Sequence, residues 1–302
     1  MWAWMITNFH CTGESTRVTN GNHYMVEWRL SRVQREGYTV QQIDFYMVDA
    51  FSTTTFAGNA AAVCPLTDWL PDETLLKMAQ QHNQSETAFF VANDNGFELR
   101  WFTTQGEINL CGHATLAAAH VIFEHLDYPD TTIHFATRFV GPLMVTRSGE
   151  WLTLDFPAWQ SEPVVPPALL LEALGITEYK EVRVGRDYMV VLEDQHQVEA
   201  VRPNIHAMVP LGKMVCITAP GDGEYDFVSR FFCPGEAVAE DPVTGSAHSM
   251  LIPYWAAKLN KTEMLARQVS ERGGDLRCQL ADSRVYIGGQ ATTYLTGKVL
   301  LR

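Results

Sequence analysis

The sequence is poor in the devices that hold metals and nucleotides. Its six cysteines (11, 64, 111, 216, 233 and 278) form no CxxC pair and no closely spaced Cys/His set, which excludes the common structural zinc frameworks and predicts no metal. Several sit in apolar, strand-like runs, as reduced thiols of a cytoplasmic protein do. There is no Walker A motif, no GxGxxG after a strand, no HExxH and no GxSxG. Nucleotide, dinucleotide, zinc-protease and α/β-hydrolase readings therefore lack their usual carriers. Ser246 and His248 do not make a hydrolase dyad, because positions two apart on a helix do not face each other. Positive charge is also scarce: 22 Lys and Arg against 35 Asp and Glu give a net charge of -13, which repels nucleic acid and anionic membranes. No run of about 18 apolar residues occurs, so no membrane span is expected. What these absences leave is cofactor-free acid/base chemistry, with a small molecule or another protein as the partner.

What is present describes a globular chain, with 46% hydrophobic and 19% charged residues over 302 positions, long enough for two domains of ordinary size. Residues 1–42 show neither a period of 2 nor of 3.6 and lack the apolar core of a signal peptide, so they read as an extension that folding does not need. From Ile43 the text alternates: IDFYMVDAF as a strand, FAGNAAAVC as turn and buried strand, DETLLKMAQQHN as a helix opened by Pro71 and Asp72. ETAFFVAND, GFELRWFTT and EINLC follow as strands, then a helix over about 114–126 closes a first half at 43–128. The Tyr128-Pro129-Asp130 break opens a second half over 129–291, again strand-rich, with a helix over about 246–259. A last strand, 292–302, is available to complete the first half. The fold class expected is α+β: two pseudo-symmetric halves, each a curved, mostly antiparallel, barrel-like sheet around a central helix.

The two halves repeat one stretch. RWFTTQGEINLCGHAT from Arg100 and RFFCPGEAVAEDPVTGSAH from Arg230 both run from Arg and two aromatics through an acidic segment to a small-residue turn that opens an Ala-rich helix. The spacing from Arg to the turn is 11 residues in one and 14 in the other. Cys111-Gly112 and Thr244-Gly245 stand at the turns. A helix N-terminus presents unpaired N–H groups and a positive dipole end, so each turn is a candidate anion site, and two facing one cleft would hold a carboxylate-bearing substrate.

Proton carriers stand beside both turns. Glu86, between a polar segment and the apolar run AFFVA, reads either as a carboxylate whose pKa desolvation raises into the acid/base range or as a strand-entry carboxylate in water. His113 in the first turn of its helix is expected to favour the neutral form. Asp241 precedes Thr244 by three residues and reads as a site carboxylate or a turn residue. Cys111 at a helix start is a candidate thiol base.

At VDAF (48–51), GNAAAV (58–63), SETAF (85–89), RWFT (100–103), CGHAT (111–115), EDPVTGSA (240–247), SERGG (270–274) and GGQA (288–291) the chain resembles the PhzF (phenazine biosynthesis-like) family, from about Ile43 to Arg302. The resemblance implies a diaminopimelate-epimerase-like fold with the active site between two similar halves, and a homodimer. In the phenazine member the reaction is isomerisation of a cyclic amino-acid-like carboxylate by proton transfer without metal or cofactor. The family's catalytic glutamate maps onto Glu86, its GHA histidine onto His113, and its aspartate and serine onto Asp241 and Ser246. Gly112, Gly245, Thr244 and Cys111 would line the substrate. Related epimerases use paired cysteines, and here Thr244 occupies the second position, which favours Glu86 as the proton shuttle. The alternatives are an epimerase or racemase using Cys111, and a protein that keeps the fold to bind a metabolite or partner.

Overall fold

The two Ala-rich stretches become helices buried on nearly every side, and the strands wrap around them. The computed structural model describes residues 40–302; the extension expected over 1–42 lies almost wholly outside the described residues, and strand pairing already includes Gln41 and Gln42. In chain order the first part comprises β1 (Gln41–Ala50), β2 (Asn59–Leu66), α1 (Asp72–His82), β3 (Thr87–Asn93), β4 (Gly96–Phe102), β5 (Glu107–Ile108), α2 (Gly112–His125), β6 (Thr132–Thr137), β7 (Leu143–Ser148) and β8 (Trp151–Pro157). The second comprises β9 (Glu162–Pro163), α3 (Ala168–Leu174), β10 (Glu181–Val184), β11 (Tyr188–Val191), α4 (Gln195–Ala200), a 3-10 turn at Ile205–Leu211, β12 (Val215–Pro220), β13 (Phe227–Phe232), β14 (Glu240–Asp241), α5 (Gly245–Leu259), β15 (Glu263–Gln268), β16 (Gly274–Ala281) and β17 (Arg284–Gly289). β18 (Ala291–Leu301) returns to pair antiparallel with β1 along its length.

The pairings of the two parts match step for step. β1–β2 is antiparallel, β2–β3 parallel, β3–β4 antiparallel and β4–β6 parallel; β10–β11, β11–β12, β12–β13 and β13–β15 repeat that order. The register aligns Thr87 opposite Phe102 with Val215 opposite Phe232, and Phe102 opposite Glu107 with Phe232 opposite Glu240. Arg100 thus corresponds to Arg230, Glu107 to Glu240 and Cys111 to Thr244. The three extra residues of the second copy fall in the loop between β13 and β14.

One expectation is corrected. β6 pairs with β4 and continues through β7 to β8, so residues 129–157 belong to the first sheet rather than the second, and the division falls after β8. The Tyr128-Pro129-Asp130 break is a turn inside one sheet. The two sheets are also continuous, since β8 pairs with β17.

The apolar residues sort accordingly. α2 buries Gly112 to Ala119 and Val121 to Phe123, the signature of a central helix rather than a surface one. α5 buries a matching set, including Leu251, Ile252 and Trp255. One core cluster spans both helices. A smaller cluster lies under α1 in the first half and another under α3 and α4 in the second.

Candidate active site

Each copy of the repeat pins its turn with an arginine fork. Arg100 donates from Nε and Nη2 to the two carboxylate oxygens of Glu107, both at 2.7 Å; Arg230 does the same to Glu240 at 2.8 and 2.9 Å. Such bidentate pairs fix direction as well as distance. They hold β5 and β14 against the aromatic strands and so aim the following turns inward. The N-terminal ends of α2 and α5 consequently meet: a Cβ built on Gly112 would stand 3.3 Å from the Gly245 Cα. Glycine at both turns permits that approach.

Around this junction the predicted residues form one cluster. His113 Nε2 lies 3.1 Å from Glu86 Oε2 and 3.4 Å from Ser85 Oγ, while Nδ1 lies 3.5 Å from Cys111 Sγ. Asn59 Nδ2, from the start of β2, donates to Asp241 Oδ1 at 2.6 Å and to the Val243 carbonyl at 3.0 Å, and stands 3.1 Å from His113 Nδ1. Thr244 donates its hydroxyl to Asp241 Oδ2 at 2.6 Å, and Gln268 accepts the Thr244 N–H at 2.9 Å. Ser246, the second residue of α5, is half-buried beside Gly112; among the described residues its hydroxyl makes no side-chain bond to the cluster. Asn59, Ser85 and Gln268 are not singled out by sequence reasoning. For Asn59 the available signal was its place after Gly58 in GNAAAV.

The electrostatics differ from expectation in two places. Burial works to raise Glu86, but the charge and hydrogen bond of His113, with Ser85 and Cys111, outweigh it and hold the carboxyl below its ordinary range. Burial likewise works against charge on His113, and its contacts with Cys111 and Glu86 overcome it, so the imidazole is raised well above its ordinary value rather than kept neutral. Cys111 itself is pushed up to about 11 by burial and by Glu86, which leaves Glu86 as the anion facing His113 at neutral pH. Asp241 is raised by burial against the lowering effects of His113, Thr244 and Asn59. Glu86 Oε2 is buried and faces His113 Nε2 at 3.1 Å.

Glu86, Cys111 and His113 bring possible ligand atoms within 4.8 Å of one another. His113, however, turns Nε2 to Glu86 and Nδ1 to Cys111, so a single ring nitrogen does not serve both neighbours as a shared metal would require. A cavity of about 530 Å³ lined by Asp226, Lys261, Arg277 and Tyr286 lies by β15–β17 and contains none of these residues. Convergent, perturbed acid/base groups mark the candidate site, and cavity size does not.

No helix among the described residues is long and apolar enough to cross a membrane. Residues 48–297 match the family model described as PhzC-PhzF, phenazine biosynthesis-like protein. An uncharacterized isomerase of Pseudomonas aeruginosa is 47% identical over 261 residues, covering 86% of this chain and 100% of that protein. The crystal structure of a PhzF-family protein from Enterococcus faecalis superposes with a TM-score of 0.84 at 44% identity, covering 86% of this chain and 100% of that one. A hydroxyproline epimerase from Agrobacterium vitis, at 10% identity and a TM-score of 0.56 over 86% of this chain and 93% of its own, shows the same epimerase-like fold. With the duplicated sheets, the paired helix ends and the matched span in agreement, the chain belongs to the phenazine biosynthesis-like (PhzF) family.

Proposed function

We propose that the protein is a cofactor-independent isomerase that moves a proton on a small carboxylate-bearing, amino-acid-like substrate, with Glu86 as the shuttle. The observation that carries this reading is the Glu86 carboxylate: buried, held anionic, and 3.1 Å from His113 at the junction of two helix N-termini. An ionised carboxylate paired at one edge has further lone pairs with which to take a substrate proton. The amides at Gly112 and Gly245 and the Ser246 hydroxyl are suited to bind the carboxylate, where the two dipole ends favour negative charge. As Glu86 removes a proton from carbon, charge develops on the substrate beside those ends and beside cationic His113. Asp241, held by Asn59 and Thr244, borders the same space. Return of the proton from Glu86 to a second carbon completes the isomerisation. The name of the Pseudomonas relative, an isomerase, supports the reaction class.

One observation favours a second reading, a thiol epimerase: Cys111 Sγ contacts His113. Against it, the thiol is pushed up to about 11 and its counterpart is Thr244. The proposal also includes a cytoplasmic homodimer. The described cysteines are free, as in a reducing compartment. β18 pairs only with β1 among the described residues and exposes Tyr294, Leu295 and Leu300 along an open edge. Light scattering that finds a single-chain particle at micromolar concentration contradicts the dimer.

The function is tested by incubating the protein with small carboxylates in deuterated water and reading carbon-bound deuterium by mass spectrometry. Enzyme-dependent incorporation is expected. Ligand-dependent melting without any incorporation identifies a binding protein instead.

A further inference from the structure

The loop between β1 and β2, residues 51–58, has no equal in the other half. The corresponding hairpin, β10 to β11, closes over Gly185–Asp187 alone. The longer loop ends at Asn59, whose side chain touches both His113 of the first half and Asp241 of the second. It is also held from the second half. Arg272, just before β16, donates from Nε to the Gly58 carbonyl at 2.7 Å and from Nη2 to the Ala57 carbonyl at 3.0 Å and to Asp49 Oδ1 at 2.6 Å. Asp49 is buried, and its other oxygen accepts the Phe56 N–H at 2.9 Å. The Gly58 N–H donates to the Gly273 carbonyl at 2.8 Å. The same 270–273 turn reaches the other side of the site, where Ser270 donates to the Pro242 carbonyl at 2.7 Å.

We propose that Asn59 is a positioning residue that sets His113 against Asp241 across the two halves, and that the Asp49–Arg272 ion pair holds Asn59 in place. The amide of Asn59 has two hydrogens, and Asp241 and Val243 take both. His113 Nδ1 therefore keeps its own proton, directed to Cys111, and its Nε2 proton faces Glu86. Without the amide, Asp241 loses a donor and gains room to approach the imidazole. The arginine fork, spread over two carbonyls and a carboxylate, resists rotation of the 57–59 backbone in a way that a point charge does not. This inference builds on the active-site reading above, and its test needs neither substrate nor turnover, so it can fail while the Glu86 mechanism stands.

The test is nitrogen-15 NMR of the full-length chain labelled at histidine, with the His113 ring signals assigned through His113→Gln. Asn59→Ala is expected to move the His113 Nδ1 resonance while the other assigned histidines stay in place. Arg272→Gln is expected to move the same resonance in the same direction, although Arg272 makes no contact with His113; Arg272→Lys, which retains charge and loses the fork, should give a smaller displacement. If Arg272→Gln does not fold, the Lys variant carries the comparison. An unmoved Nδ1 resonance in folded Asn59→Ala overturns the positioning role. An unmoved resonance in folded Arg272→Gln, or in Arg272→Lys where Gln does not fold, overturns the ion pair's part in it.

Discussion

Before β3 stands Glu86, and at the matching place before β12 stands Met214: the Glu86 carbonyl accepts from Ala62 at 3.3 Å and the Met214 carbonyl from Tyr188 at 3.0 Å, the same backbone bond in each half. His113 likewise answers to Ser246, Cys111 to Thr244, and Ile108 to Asp241. The backbone, the arginine forks and the glycine turns are shared, while Glu86, Cys111, His113 and Asp241 are not. A two-base mechanism related by the pseudo-symmetry would need an acid at both places. One shuttle in the first half, with the second half supplying a carboxylate and a helix end, agrees with the residues found. Helix positions follow the same rule: Thr115 donates to the Cys111 carbonyl and His248 Nδ1 contacts the Thr244 carbonyl at 2.9 Å, so equal geometry is reached with unequal chemistry.

That comparison can be broken at several places. The largest effect is expected at the hairpins. Gly58 has φ +66°, and a Cβ there would lie 2.1 Å from the Ala50 carbonyl oxygen, so Gly58→Ala should cost upward of about 3 kcal/mol. Gly185, which has no such φ and a closest approach of 2.8 Å, should cost less on the same change; urea melts that rank them the other way show that the long loop is not the strained one.

The next effect is acid sensitivity. Burial depresses His248 from 6.5 to about 4, so the unfolded chain takes the proton first as pH falls. The stability it contributes is present above about 6.5 and is lost as pH falls through about 4. Between pH 7 and pH 5 the loss should be about 2 kcal/mol, and His248→Thr, which copies Thr115, should remove that part of the pH slope. His82 and His120, also depressed to about 4 by burial, act in the same direction. An unchanged slope contradicts the assignment.

A smaller difference separates the arginine forks. Arg230 also donates to the Val198 and Val201 carbonyls, at 3.2 and 2.8 Å, whereas Arg100 reaches the exposed Asp72. Arg230→Ala leaves backbone acceptors orphaned and should destabilise by about 1 kcal/mol more than Arg100→Ala. Equal denaturation midpoints and slopes would show that the two turns are pinned alike.

The repeat and the central helices were legible because aromatics, glycines and Ala-rich runs leave local patterns. The division between halves was not, since the parallel pairing of β4 with β6 is a contact made in space, and Tyr128-Pro129-Asp130 looks the same whether it ends a domain or turns within one. Glu86, His113 and Asp241 could be chosen from their contexts. Their charge states could not, because the group that lowers Glu86 is His113, brought beside it only by folding. Asn59 escaped for the same reason: its partners lie 54 and 182 positions away.

The central claim, one carboxylate shuttle in a duplicated frame, is tested most directly by deuterium incorporation into substrate carbon for Glu86→Gln beside Cys111→Ala. Glu86→Gln, which keeps shape and removes the base, is expected to slow exchange by roughly 10²–10⁴-fold while ligand binding survives. Cys111→Ala should slow it by less than about tenfold, since no second thiol completes a pair. A dead Cys111→Ala beside an active Glu86→Gln would contradict the account and assign the proton to sulfur.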